Sequence, residues 1–73
     1  MKLPLLRKIL LLTPKNRGLV SRFLSDRKLR LKVVKEFQAR GIGDGIDPDD
    51  VEKWLAIIMK YLPLFIQIIL MFI

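Results

Sequence analysis

Residues 54–73 leave this chain few choices. Twelve of the twenty are Leu, Ile or Phe: Leu55, Ile57, Ile58, Leu62, Leu64, Phe65, Ile66, Ile68, Ile69, Leu70, Phe72 and Ile73. A run this apolar has to be taken out of water, by lipid or by protein. As one α-helix, rising about 1.5 Å per residue, it reaches ~30 Å, the thickness of a bilayer's hydrocarbon core. The twelve side chains favour insertion by roughly 4 to 7 kcal/mol, and Lys60 opposes it by up to ~3 kcal/mol.

The expectation is a C-terminal transmembrane helix with Trp54 and Tyr61 as interface anchors. Two seatings fit. In one, Trp54 marks one interface and the span runs to Ile73. In the other, Lys60 and Tyr61 mark the interface, Pro63 bends the helix, and the preceding part lies along the surface. The first is preferred, because a full span is the default for an apolar run of this length. Burial against other subunits of a large assembly is the third way to cover the segment. Lys53, Ala56, Lys60, Pro63 and Gln67 recur at helical spacing on one stripe. Polar groups in lipid tend to face protein, so Ala56, Lys60, Pro63 and Gln67 are the expected helix–helix contact with a partner protein or a second copy.

The formal charge of +7 divides sharply along the chain. Residues 1–40 hold twelve Lys/Arg against Asp26 and Glu36, a net of +10. Residues 41–53 hold Asp44, Asp47, Asp49, Asp50 and Glu52 against Lys53, a net of −4. A basic block of that density attracts phosphate, on anionic lipid or on nucleic acid. Arg22, Arg27, Lys28, Arg30, Lys32 and Lys35 are the candidate contacts. Phe23 and Phe37 fall on apolar faces, so no aromatic platform for bases is interleaved with the cations. Any nucleic-acid contact would be independent of sequence.

The chain has neither Cys nor His. Thiol nucleophiles, histidine bases and Cys/His zinc sites are therefore excluded. The acidic cluster fails the calcium-loop pattern, since Arg40 and Ile42 precede Gly45 where acids are required and Val51 follows where Glu is required. No cofactor, metal or catalytic group is expected, and the chain is not read as an enzyme.

Residues 1–12 look superficially like a signal peptide. Arg7 and Lys8 interrupt the apolar core, however, and no small-residue cleavage site follows, so the segment is read as a short cationic amphipathic helix. Thr13-Pro14 starts the next helix, ending near Ser25. Ser25-Asp26 caps a third, closed by Gly41. Residues 28–33 alternate polar and apolar as a strand would, but the flanking caps and the lack of a hairpin partner favour helix. Gly41, Gly43 and Gly45 form a hinge. Asp47 is the expected N-cap of the last helix, with Pro48 at its first position.

The expected fold is all-α: short amphipathic basic helices in a head (1–40), a glycine hinge (41–47) and one long anchor helix (48–73). The expected role is that of a small single-span membrane protein with a structural or interaction role. Its cationic head would lie on the cytoplasmic or interior side, binding anionic lipid, nucleic acid or a partner. In size and layout it resembles the small single-span proteins of membrane-containing phage particles. A holin-like or bacteriocin-like permeabilising peptide and an accessory subunit of a membrane enzyme complex are the alternatives.

Overall fold

A computed structural model describes Arg7, Leu10 and residues 11–73. The amphipathic helix expected over residues 1–12 lies largely outside them. The described residues form four α-helices: α1 (Pro14–Ser25), α2 (Arg27–Ala39), α3 (Val51–Lys60) and α4 (Leu62–Leu70). The all-α expectation holds.

Helix α1 starts where its capping chemistry places it. Thr13 Oγ1 accepts from the Asn16 N–H at 3.2 Å, and Pro14 occupies the first turn, where no N–H is needed. A single residue, Asp26, joins α1 to α2. Its N–H donates to the Arg22 carbonyl at 2.9 Å, closing α1, and its Oδ1 accepts from the Leu29 N–H at 3.1 Å, opening α2. Residues 28–33, which alternate like a strand, are helical. Leu29, Val33, Val34 and Phe37 turn inward at helical spacing, and the alternation leaves Leu31 outside.

Helix α2 ends in a Schellman motif. The Gly41 N–H donates to the Gln38 carbonyl and the Ile42 N–H to the Phe37 carbonyl, both at 3.0 Å, with Gly41 at φ +77°. The glycine segment that follows is a fastened turn. Gln38 Nε2 donates to the carbonyls of Gly43 (3.0 Å) and Ile46 (3.1 Å), and the Ile46 N–H closes onto the Gly43 carbonyl at 3.1 Å.

The start of α3 departs from expectation. Asp47 does not cap the helix. Its Oδ1 accepts from the Asp49 N–H at 2.8 Å, and its carbonyl accepts from the Asp50 N–H at 2.9 Å and from Trp54 Nε1 at 3.1 Å. That turn carries Asp49 out toward α2, so the helix begins at Val51 with Asp50 as its cap.

The single long helix expected over 48–73 is also corrected. The backbone breaks at Tyr61 (φ −115°, ψ 41°), and α4 leaves α3 at 107°. The cause is Pro63, which has no N–H to offer the Met59 carbonyl and whose ring would collide with it in a straight helix. No single helix among the described residues is long and apolar enough to cross a membrane.

The bend folds α4 back across α1 and α2. Phe23 on α1 meets Phe65 on α4 edge-to-face at 5.7 Å, and Phe37 on α2 packs against Trp54 on α3 at 5.8 Å. Basic head and apolar C-terminal run therefore share one core, built from Val20, Phe23, Val33, Val34, Phe37, Trp54, Ile58, Phe65, Ile68 and Ile69. Each of these large side chains contributes roughly 1.5–3 kcal/mol by leaving water. The accessible surface of 4845 Å² is close to the ~4,700 Å² that a folded monomer of 8.5 kDa exposes.

Candidate functional site

The six expected phosphate contacts do not form one patch. Arg30 is only 8 % exposed and faces inward with the core of α2. Its Nη1 donates to the carbonyls of Leu24 (2.7 Å) and Phe23 (3.3 Å), part of the last turn of α1, where carbonyls have no intrahelical partner. Its Nη2 reaches Asp49 Oδ1 at 3.2 Å. Arg27 grips the same carboxylate with two parallel bonds, Nε to Oδ1 and Nη2 to Oδ2, each 3.1 Å. Buried Arg30 is thus withdrawn from the expected phosphate-binding set, while Arg27, still exposed, joins it in pinning the acidic turn onto α2. Hydrogen bonds from Arg27, then from Arg30, hold the Asp49 carboxyl below the ordinary aspartate value. Asp49 in turn raises Arg27 through the same hydrogen bond and its charge.

Lys28, Lys32 and Lys35 remain exposed on α2, and Arg22 is exposed on α1. At about 100° per residue the three lysines fall within roughly 60° of arc, with Leu31 at their edge. The flanks of this outer face are set by contacts. Arg27, Arg30 and Gln38 hold the 43–49 turn along one side. On the other side, Lys32 Nζ stands 5.9 Å above the ring of Phe72. The order across the face is therefore acidic turn, Leu31, Lys35, Lys28, Lys32 and then the C-terminal residues. Those residues are apolar and open, with Met71 60 % and Ile73 51 % exposed beside the half-buried Phe72.

The other expected sites are redistributed. Trp54, expected at a lipid interface, is fully buried, with its ring against Gly43 and its N–H on the Asp47 carbonyl. Tyr61 is half-buried at the bend, where Lys60 Nζ lies 5.6 Å from its ring centroid. Ala56 and Lys60 are exposed on α3, and Pro63 and Gln67 on α4, so the break at Tyr61 cuts their stripe in two. Gly41, Gly43 and Gly45 all have positive φ, of 77°, 72° and 82°.

Two functional placements escape a reading by residue type. Arg30 stands three, four and seven residues before Val33, Val34 and Phe37, and that spacing marks it as core-facing. Asp49, nineteen positions from Arg30, carries no local sign of its role. Comparison with protein-family models, curated proteins and solved structures returned no match.

Proposed function

We propose that this chain is a small membrane protein with a structural, interaction-type role, seated in the bilayer by α3 and α4 and presenting its basic helices to the membrane surface. One observation carries the reading: the apolar C-terminal run is interrupted at a single residue. Helices α3 and α4 together have the length and composition of a span. Tyr61 alone separates them, and the helical hydrogen bonds continue on both of its sides, Tyr61 N–H to the Ile57 carbonyl and Phe65 N–H to the Tyr61 carbonyl, each 2.9 Å.

Rotating Tyr61 into helical geometry joins Val51–Lys60 and Leu62–Leu70 into twenty residues, ~30 Å long. The straightened helix adds bonds from the N–H groups of Leu62 and Leu64 to the carbonyls of Ile58 and Lys60. In water the bent form wins, because it buries Trp54, Ile58, Phe65, Ile68 and Ile69 against the basic helices. In lipid that advantage disappears, and Pro63 remains as a kink of the kind membrane helices tolerate. The basic head then stays on the cytoplasmic or interior side.

The test is carbonate extraction of membranes carrying the chain tagged at its N-terminus, followed by protease treatment of sealed vesicles. Retention in the pellet, with the tag on the cytoplasmic side, is expected. Complete release into the carbonate supernatant overturns the reading.

A further inference from the structure

Resting on the membrane reading above, we propose that the outer face of α2 is a docking surface for an anionic bilayer, through which the bent form meets the membrane. Lys28, Lys32 and Lys35 supply the charge; Leu31 and the C-terminal Met71 and Ile73 supply the apolar component.

Arg27 and Arg30 share the single carboxylate of Asp49, and Arg40 pairs with Glu36 at 2.8 Å. The three lysines of this face are exposed and form no ion pair among the described residues, Lys32 lying over the ring of Phe72. Their long stems are flexible and their ammonium groups are point charges, which suits a mobile layer of lipid headgroups better than a fixed bidentate partner.

The chemistry of the face favours lipid over nucleic acid. A phosphate backbone has nothing to offer Leu31, Met71 and Ile73, and the Phe72 ring beside this face is half-buried beneath Lys32 rather than free to stack on a base. An anionic bilayer meets both parts of the face at once. Headgroups take the lysines, and the apolar side chains enter the boundary between headgroups and acyl chains, as an amphipathic helix does.

The docking residues include the end of the segment that has to insert, because Phe72 directly follows Met71 on the C-terminal side of α4. Docking by this face brings Met71 and Ile73 to the acyl chains while the 43–49 turn, held by Arg27, Arg30 and Gln38, stays on the flank away from the Lys32 edge.

The experiment is co-sedimentation of the full chain with vesicles of phosphatidylcholine alone and of phosphatidylcholine with one third phosphatidylglycerol, in low salt. K28Q/K35Q is expected to lower partition onto the anionic vesicles roughly 30-fold and to leave the neutral vesicles unaffected. K15Q/R22Q removes the same charge from α1 and is expected to lower it less than about threefold, because those groups lie off the docking face. L31Q is expected to weaken binding to both vesicle types by several fold. Equal losses from the two charge pairs overturn the proposal, since they mean diffuse attraction. So does an unaffected L31Q combined with duplex oligonucleotide binding that K28Q/K35Q abolishes. Carbonate-labile association of the wild type that still depends on Lys28 and Lys35 sinks the seating by α3 and α4 while leaving this face standing.

Discussion

Gly43 lies against the indole of Trp54 so closely that a Cβ at residue 43 would stand 2.5 Å from the ring's Cη2 atom. The contact couples the turn to the core, because Trp54 is fully buried and its N–H is already committed to the Asp47 carbonyl. Gly43→Ala has to displace the ring and hold alanine at φ +72°. Overpacking and left-handed backbone together cost about 2–4 kcal/mol. Gly45→Ala, with open space around it, costs only about 1 kcal/mol. Urea unfolding followed by Trp54 fluorescence should separate the two, and equal midpoints would show that the indole does not rest on residue 43.

Asp49 makes stability depend on pH. Its carboxyl is held below the ordinary aspartate value of 3.8 in the folded chain by the hydrogen bonds from Arg27 and Arg30. A folded value that is depressed means that the stabilisation is fully present above the unfolded value and is lost as pH falls through the folded one. Thermal midpoints are therefore expected to hold down to about pH 5 and to decline steadily below about pH 4. Asp49→Asn should lower the neutral midpoint and flatten the acid limb. An acid limb identical in wild type and variant would assign the decline to other carboxylates.

Arg30 binds by a planar fork, and a single ammonium cannot reproduce it. Arg30→Lys loses at least one of the bonds to Phe23, Leu24 and Asp49 and leaves buried carbonyls short of a donor. A loss of about 1–3 kcal/mol is expected. Lys28→Arg, on the open face of the same helix, should stay within about 0.5 kcal/mol of wild type. Chemical denaturation monitored by circular dichroism distinguishes the pair.

The bend at Tyr61 can be biased both ways. Pro63→Ala restores the missing N–H and removes the ring clash, favouring the straight helix by about 3 kcal/mol. Leu62→Pro occupies the first position of α4, where the bent form needs no donor, and obstructs the straight one. Carbonate-resistant membrane association should rise in Pro63→Ala and fall in Leu62→Pro. Oriented circular dichroism should show the matching gain and loss of helix along the bilayer normal. Unchanged association in both variants would mean that the bend plays no part in seating.

Much of the fold was legible because its helices are started and stopped by local chemistry. Thr13-Pro14, Asp26 and Gly41 are read from side-chain oxygens and backbone freedom within four residues, and the structure uses them so. The acidic turn departs from its local signal for the opposite reason. Asp47 and Asp50 are both adequate caps, and the choice between them is made by Arg27 and Arg30, which draw Asp49 away. Arg30 leaves the expected phosphate-binding set because residue type alone does not say where a charge points. Arginine stems fit a core when the guanidinium finds carbonyls, as Arg30 does at the end of α1. The long C-terminal helix breaks beside Pro63, whose bending effect belongs to one of the two seatings the sequence allows. What no periodicity contains is that the bend reaches 107° and brings Phe65 onto Phe23.

The joint at Asp26 has a consequence for how such a chain can change. One carboxylate opens α2 and its own amide closes α1, so there is no spare peptide in the corner. Lengthening it by one residue would rotate every later side chain of α2 by about a third of a turn relative to α1. Arg30 would swing off its carbonyls and the lysines would face elsewhere. Variants of this protein should therefore keep the corner's residue count fixed.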